Sequence, residues 1–138
     1  MKRDPAEHIV GAVLALSRRL RAERPRGTAS LSGLSILSTL LRAGAMPATR
    51  LAAEERLQPQ SLTRLIAGLE AKGWIARKRS PTDRREISIS LTARGRRLLD
   101  DDRKSRRTWL KHALATSLTA GERATLLAAA DVMLKLAR

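Results

Sequence analysis

One stretch decides the fold, residues 58–91, which read QPQSLTRLIAGLEAKG followed by WIARKRSPTDRREISISL. Its first half predicts an α-helix, because Pro59 suits a first helical position and Gly73 supplies a stop. One apolar stripe recurs at the helical period and consists of Leu62, Leu65, Ile66 and Leu69. The opposite face carries polar side chains of the kinds that contact base edges and phosphates, namely Gln60, Ser61, Thr63 and Arg64.

The second half of this stretch predicts a β-hairpin. Apolar and polar residues alternate over 87–91, and residues 74–79 lead into a turn at 80–83 that contains proline and aspartate. Between residues 77 and 97, eight basic residues stand against two acidic ones, a net charge of +6. A polar-faced helix followed by a basic hairpin is typical of a winged helix-turn-helix, whose helix enters the major groove of DNA.

Further helices are predicted on both sides of this stretch. Three precede it, over residues 5–24, from a Ser30 cap to Gly44, and over 48–56. Two follow it, one from a Thr92 cap to about residue 115 and one opened by a capping box at Thr119 and Glu122. Because residues 100–108 are almost wholly polar, we expect the middle of the fifth helix, including the acidic run 100–102, to be exposed. The fold class is mainly α with a small β-hairpin wing (α+β).

The charge balance predicts a polyanionic partner. The 138 residues contain 28 Lys and Arg against 13 Asp and Glu, a net charge of +15, which favours nucleic acid or an anionic membrane surface. The chain has two Trp and neither Tyr nor Phe, too few aromatic faces for stacking single-stranded bases, so double-stranded DNA is the better partner. The apolar run 9–16 is far shorter than the ~20 residues that span a bilayer. We therefore expect a cytoplasmic protein with no membrane partner.

Residue types also exclude several classes of site. The chain lacks cysteine, which rules out disulfides and thiolate metal ligands, and its two histidines have no metal-ligand spacing. We find no Ser/His/Asp arrangement and no Gly-rich phosphate loop. The sequence therefore predicts no catalytic residues, no metal, no cofactor and no enzyme activity.

The sequence resembles the MarR family of bacterial transcriptional regulators along almost its whole length. The most specific segments are Pro81-Thr82-Asp83-Arg84-Arg85 and Leu91-Thr92-Ala93-Arg94-Gly95. Further similarity lies in residues 34–37 with Leu40, in 62–66 and in 69–73. Two departures stand out: Ser80 occupies a position where the family often has Asp, and Arg56 one where a small residue is frequent.

The resemblance implies a fold and a mode of action. It implies one MarR-like domain over 1–138, with a winged helix-turn-helix lobe at about 30–92 and a helical dimerisation region at about 1–29 and 93–138. It also implies a homodimer that binds an inverted repeat, usually as a repressor. The arginine matching Arg85 would enter the minor groove and the aspartate matching Asp83 would steady it, with Arg84 between them. Whether a small-molecule effector exists is left open.

The candidate DNA-binding residues are therefore Gln60, Ser61, Thr63, Arg64, Arg77, Arg79, Asp83, Arg84 and Arg85. Several have a plainer interpretation: the arginines at 84 and 85 could form a solvated basic turn, and Arg64 could make a helix-surface salt bridge. Gln60, Ser61 and Thr63 could simply face solvent. The alternative for the whole chain is an architectural protein that coats DNA with little sequence preference. Such a protein loses affinity steeply with salt and discriminates weakly between sequences.

Overall fold

The computed structural model describes residues 4–138 and confirms the predicted fold class. The described chain runs through α1 (Pro5–Ala22), α2 (Leu31–Ala43), β1 (Met46–Pro47), α3 (Ala48–Glu55), α4 (Pro59–Ala71), β2 (Ile75–Arg79), β3 (Ile87–Leu91), α5 (Ala93–Ser117) and α6 (Ala120–Leu136). The three strands form one antiparallel sheet in the order β1-β3-β2. The predicted helices are all present, with ends within two residues of the expected ones.

The chain divides into two compact units. The central unit is Pro25–Arg103, and the terminal unit joins the described residues up to Arg24 with Lys104–Arg138. The core belongs to the central unit, where α2, α3, α4 and the sheet bury their apolar sides. The largest side chains that are fully buried there are Ile36, Leu37, Met46, Leu51, Ile75 and Ile89. These residues follow the helical and strand periods expected from the sequence, so the hydrophobic pattern accounts for the core.

The strand β1 was not predicted. It consists of only Met46 and Pro47, which pair with Ile89 and Ser88 of β3. Two residues cannot show an alternating pattern, and proline within a strand normally argues against pairing. Pro47 is tolerated because β1 lies at an edge of the sheet. The side chain of Met46 is fully buried in the core.

Thr92 makes three hydrogen bonds, one that caps α5 and two that tie the start of α5 to the residues directly after α4. The Thr92 hydroxyl donates to the carbonyl of Gly73 (2.6 Å) and accepts from the N–H of Gly95 (3.0 Å). The Thr92 N–H donates to the carbonyl of Trp74 (3.1 Å). Thr92 therefore caps α5 as predicted and also fixes where α5 begins relative to α4.

The expectation that the whole acidic run in α5 is exposed is wrong at one residue. Asp100 and Asp101 are exposed, but Asp102 retains only 3% of its accessible surface. Asp102 follows the buried residues Gly95 and Leu99 at helical spacing and so lies on the same side of α5. The polar composition of this segment suggested that all of it is exposed to solvent, whereas the helical spacing from Gly95 and Leu99 places the Asp102 carboxylate on the buried side.

Two of the helices in the terminal unit contain no buried residue. They are α1 and α6, whose large apolar side chains are extensively exposed. The predicted capping box opens α6, and hydrogen bonds from Thr119 lower the pKa of the Glu122 carboxyl. The Arg123 guanidinium donates to the carbonyls of Leu114 (3.0 Å) and Leu118 (2.9 Å), which ties the end of α5 to α6.

Candidate nucleic-acid interface

The helix α4 presents a polar face to solvent. Its apolar stripe faces the core, where Leu62, Ile66 and Leu69 are buried and Leu65 is half-buried. All four side chains predicted to contact DNA from this helix, Gln60, Ser61, Thr63 and Arg64, are exposed. The amphipathic pattern thus leaves the predicted contact residues on one accessible helix.

The hydroxyl of Thr63 has a local partner. It donates to the carbonyl of Pro59, one turn earlier in α4, at 2.8 Å. Such back-bonding is common for threonine within helices and occupies its only donor. Thr63 can therefore offer a base an acceptor lone pair or its methyl group more readily than a proton, a restriction that the sequence did not reveal.

The turn before α4 is held by contacts that sequence reasoning missed. The Glu55 carboxylate, at the end of α3, accepts from the hydroxyls of Ser35 (2.7 Å) and Thr39 (2.5 Å) on α2. Arg56 then adopts the left-handed conformation (φ 53°), and the N–H of Leu57 donates to the carbonyl of Ala52 (3.0 Å). These contacts fix α3 against α2, and hence the point at which α4 begins. Glu55 is 20 residues from Ser35 and 16 residues from Thr39 in the sequence, so no local pattern predicts these hydrogen bonds.

The hairpin has a structured tip. The N–H of Ser80 donates to the carbonyl of Glu86 (2.9 Å), and the Asp83 carboxylate accepts from the N–H of Arg85 (2.9 Å). The Ser80 hydroxyl oxygen also accepts from the N–H groups of Thr82 (3.3 Å) and Asp83 (3.4 Å). Serine can thus perform the turn-capping task that an aspartate would perform at position 80. Asp83 shapes the backbone below an exposed Arg85.

Two further candidates lie on β2, nearer the body of the central unit. The Arg77 Nε lies 3.0 Å from an Oε of Glu70 on α4, and each side chain of this pair is 42% exposed. Arg77 thus joins the hairpin to α4, and part of its charge is satisfied within the protein. Arg79 and Arg84 are exposed, like Arg85. The free positive charge therefore concentrates toward the tip of the hairpin.

Over residues 4–138, no group of three or more His, Asp or Glu side chains is placed to hold a metal ion. Within the same residues, no helix combines the length and the apolar character needed to cross a membrane.

Known proteins with similar sequences and structures are transcriptional regulators. The sequence model of the MarR family matches residues 30–87. The uncharacterized HTH-type transcriptional regulator Mb0904 of Mycobacterium bovis is 44% identical over 125 residues, which cover 91% of this chain and 87% of the relative. A crystal structure described as a candidate transcriptional regulator of Pseudomonas aeruginosa is 35% identical and superimposes with a TM-score of 0.87, covering 96% of this chain and 93% of that one.

The fold also matches a protein whose structure contains nucleic acid. A point mutant of MepR from S. aureus, bound to an oligodeoxyribonucleotide, superimposes with a TM-score of 0.75 over 99% of this chain and 100% of that chain. At 16% identity this match concerns the fold alone. Three findings point to the same family: the fold, the exposed polar helix beside a basic hairpin, and the relative that is 44% identical. The chain belongs to the MarR family of helix-turn-helix, DNA-binding transcriptional regulators.

Proposed function

We propose that the chain is a homodimeric, sequence-specific repressor that binds an inverted repeat in double-stranded DNA. The observation that carries this proposal is the exposed polar face of α4 next to a hairpin whose tip presents Arg84 and Arg85. A helix of this kind fits the major groove, where each base pair offers a distinct pattern of donors and acceptors. A basic hairpin beside it reaches the adjacent backbone or minor groove.

Each candidate residue has a proposed role in this arrangement. Gln60, Ser61 and Arg64 contact base edges or phosphates in the major groove, and Thr63 lies beside them. Arg85 enters the minor groove, Arg84 and Arg79 contact phosphates, and Asp83 and Arg77 position the hairpin. The hydrogen bond from the Arg85 N–H to Asp83 and the ion pair between Arg77 and Glu70 support these last two roles.

The exposed apolar faces of the terminal unit support a dimer. In α1 the residues Ile9 and Val10 are more than half exposed, and in α6 Leu127 and Leu136 are 73% and 83% exposed. Apolar surface of this extent on helices without a single buried residue is typical of an interaction site. From the family resemblance we infer that a second copy of the chain covers this surface.

The dimer can be tested with one substitution on α6. We expect Leu127→Glu to shift the chain from dimer toward monomer at micromolar concentration, because it would bury an unpaired carboxylate in the interface. Light scattering at several protein concentrations measures the change. Thr125→Glu is the matched control, since it adds the same charge to the same helix at an exposed position about 160° away around the axis. A wild-type chain that is monomeric under these conditions would contradict the proposal.

Sequence-specific binding can be tested by selecting bound fragments of the source genome at ~150 mM salt, where weak non-specific binding is suppressed. We expect an inverted repeat with half-sites about one helical turn apart, because a two-fold symmetric dimer places its two recognition helices at that spacing. A net charge of +15 favours one alternative, an architectural protein that coats DNA. Uniform recovery of fragments, together with a steep loss of affinity with salt, would support that alternative.

The remaining proposals concern partners and location. A regulator that acts through DNA contacts requires neither catalysis nor a cofactor, and we propose neither for this chain. It would work in the bacterial cytoplasm, associated with the nucleoid while bound to DNA. A small-molecule effector that releases it from DNA is compatible with this mechanism, but no residue is assigned to such a ligand.

A further inference from the structure

An apolar recess lies between α3 and α4 in the central unit. Its volume is about 230 Å³, and its wall includes the buried side chains of Ala52, Leu62 and Ile66. The exposed residues Pro59 and Thr63 line it as well. Thr63 belongs to the polar face of α4 that we place against DNA. The recess is therefore continuous with the proposed DNA-binding surface.

The chemistry of this recess is apolar although polar residue types lie along it. The Thr63 hydroxyl donates to the carbonyl of Pro59 (2.8 Å), both within the lining, so one polar group of the side chain and one of the backbone satisfy each other. Because threonine is branched at Cβ and stiff about χ1, this bond also holds its methyl group in one orientation. Ala48 and Thr49 of α3 complete the lining, which is therefore mainly apolar, with the Thr49 hydroxyl as a further polar group at its exposed side.

One apolar group is available on base edges in the major groove. Thymine carries a C5-methyl there, whereas cytosine has hydrogen at the same ring position and the purine edges carry donors and acceptors. Threonine methyl and alanine are among the side-chain groups that contact this thymine methyl favourably. A donor or acceptor placed against the buried apolar wall of Ala52, Leu62 and Ile66 would instead lose its water without a partner there.

The geometry points to a thymine-specific contact, in which the C5-methyl of one thymine in each half-site enters the recess between α3 and α4 beside Thr63. This inference rests on the proposed function and deepens it by naming a base. It assigns Thr63 the role of an apolar specificity determinant, in contrast to the polar contacts of Gln60, Ser61 and Arg64 on the same helix.

The test removes the methyl group from either side of the contact. In the duplex recovered by selection, each thymine in turn is replaced by deoxyuridine, which lacks only the C5-methyl. We expect one position per half-site at which this replacement weakens binding of the wild-type chain about fourfold, the effect of burying one methyl-sized group. The Thr63→Ser variant, which loses the methyl and keeps the hydroxyl, should bind the two duplexes within about twofold of each other.

Thr63→Val is the matched control, because it keeps a methyl at Cγ and loses the hydroxyl. It should retain the preference of about fourfold for thymine over deoxyuridine. A preferred sequence in which deoxyuridine is tolerated everywhere would overturn this inference and leave the proposed function intact. A preference that persists undiminished in Thr63→Ser would assign the contact to another residue and equally overturn it. Failure to select any preferred sequence would overturn both proposals.

Discussion

Replacing Gly95 by alanine is expected to lower the free energy of unfolding by about 3 kcal/mol, at the upper end for overpacking of a well-packed site. A Cβ at this position would lie 2.1 Å from the carbonyl oxygen of Trp74 and 2.8 Å from a methyl carbon of Leu91. The Leu91 side chain can move, but the carbonyl belongs to the backbone. Relief of the clash therefore requires α5 to shift, which breaks the hydrogen bonds of Thr92 to Gly73 and Trp74.

Urea denaturation followed by circular dichroism would measure this change, at one protein concentration for all variants because a dimer's apparent stability depends on concentration. Gly68→Ala is the matched control: Gly68 lies in α4 of the same unit, and a Cβ there would have no neighbour within 4 Å apart from the adjacent backbone of α4. This control should raise stability by up to about 1 kcal/mol, since alanine is the better helix former. If Gly95→Ala were as stable as the wild type, the close approach of α5 to Trp74 would be wrong.

The clash at Gly95 gives a physical reason for one segment on which the family resemblance rests. In Leu91-Thr92-Ala93-Arg94-Gly95, Thr92 caps α5 and reaches back to Gly73, while Gly95 leaves room for the carbonyl of Trp74. None of these contacts involves DNA. They set the position of α5 and β3 against the end of α4, so the segment keeps α4 and the hairpin in a fixed relation.

The features predicted correctly from sequence are those that local patterns determine. The helix α4 has a proline at its start, a glycine after its end and an apolar stripe between them, and each signal acts within a few residues. The hairpin β2–β3 likewise follows from alternation on β3 and turn residues at 80–83. The caps at Ser30 and Thr119 were equally visible, and the structure contains both.

The features that the sequence did not predict depend on distant partners. The strand β1 exists because Met46 pairs with Ile89, and Glu55 is held by hydroxyls on a different helix. The burial of Asp102 follows from its place beside Leu99 on α5, which the polar composition of that segment concealed. For the candidate site, the residue types and their exposure followed from helix periodicity. The hydrogen bond from the Thr63 hydroxyl to the Pro59 carbonyl could not be predicted from sequence, because it depends on the rotamer of the threonine.

The second large effect is expected at the tip of the hairpin. Arg85→Ala should weaken binding to the selected operator by about 1–3 kcal/mol per half-site, the usual value of a specific base contact. Arg85 is exposed, and the bond from its own N–H to Asp83 fixes the backbone beneath the side chain. The backbone of the turn is thus ordered before DNA binds, which reduces the entropy lost when Arg85 enters a groove. Fluorescence anisotropy with a labelled duplex at fixed salt would measure the affinity.

Two control variants separate a specific contact at Arg85 from general charge. Arg42→Ala removes one exposed arginine from the last turn of α2, in the same unit, and should change affinity by less than the hairpin variant does. Arg85→Lys keeps the charge but loses the planar fork of donors. Compared with the wild type, it should keep most of the salt dependence of binding and lose more of the sequence preference.

A third variant tests whether the turn beneath Arg85 matters. Asp83→Ala removes the acceptor for the Arg85 N–H and should weaken operator binding although residue 83 carries a negative charge. Simple electrostatics predicts the opposite sign for that variant, because deleting an acidic residue from a basic hairpin would strengthen its attraction to phosphates. Tighter binding by Asp83→Ala would therefore assign the hairpin a general electrostatic role in place of a specific contact. Unchanged binding by Arg85→Ala would remove the hairpin from the binding mechanism.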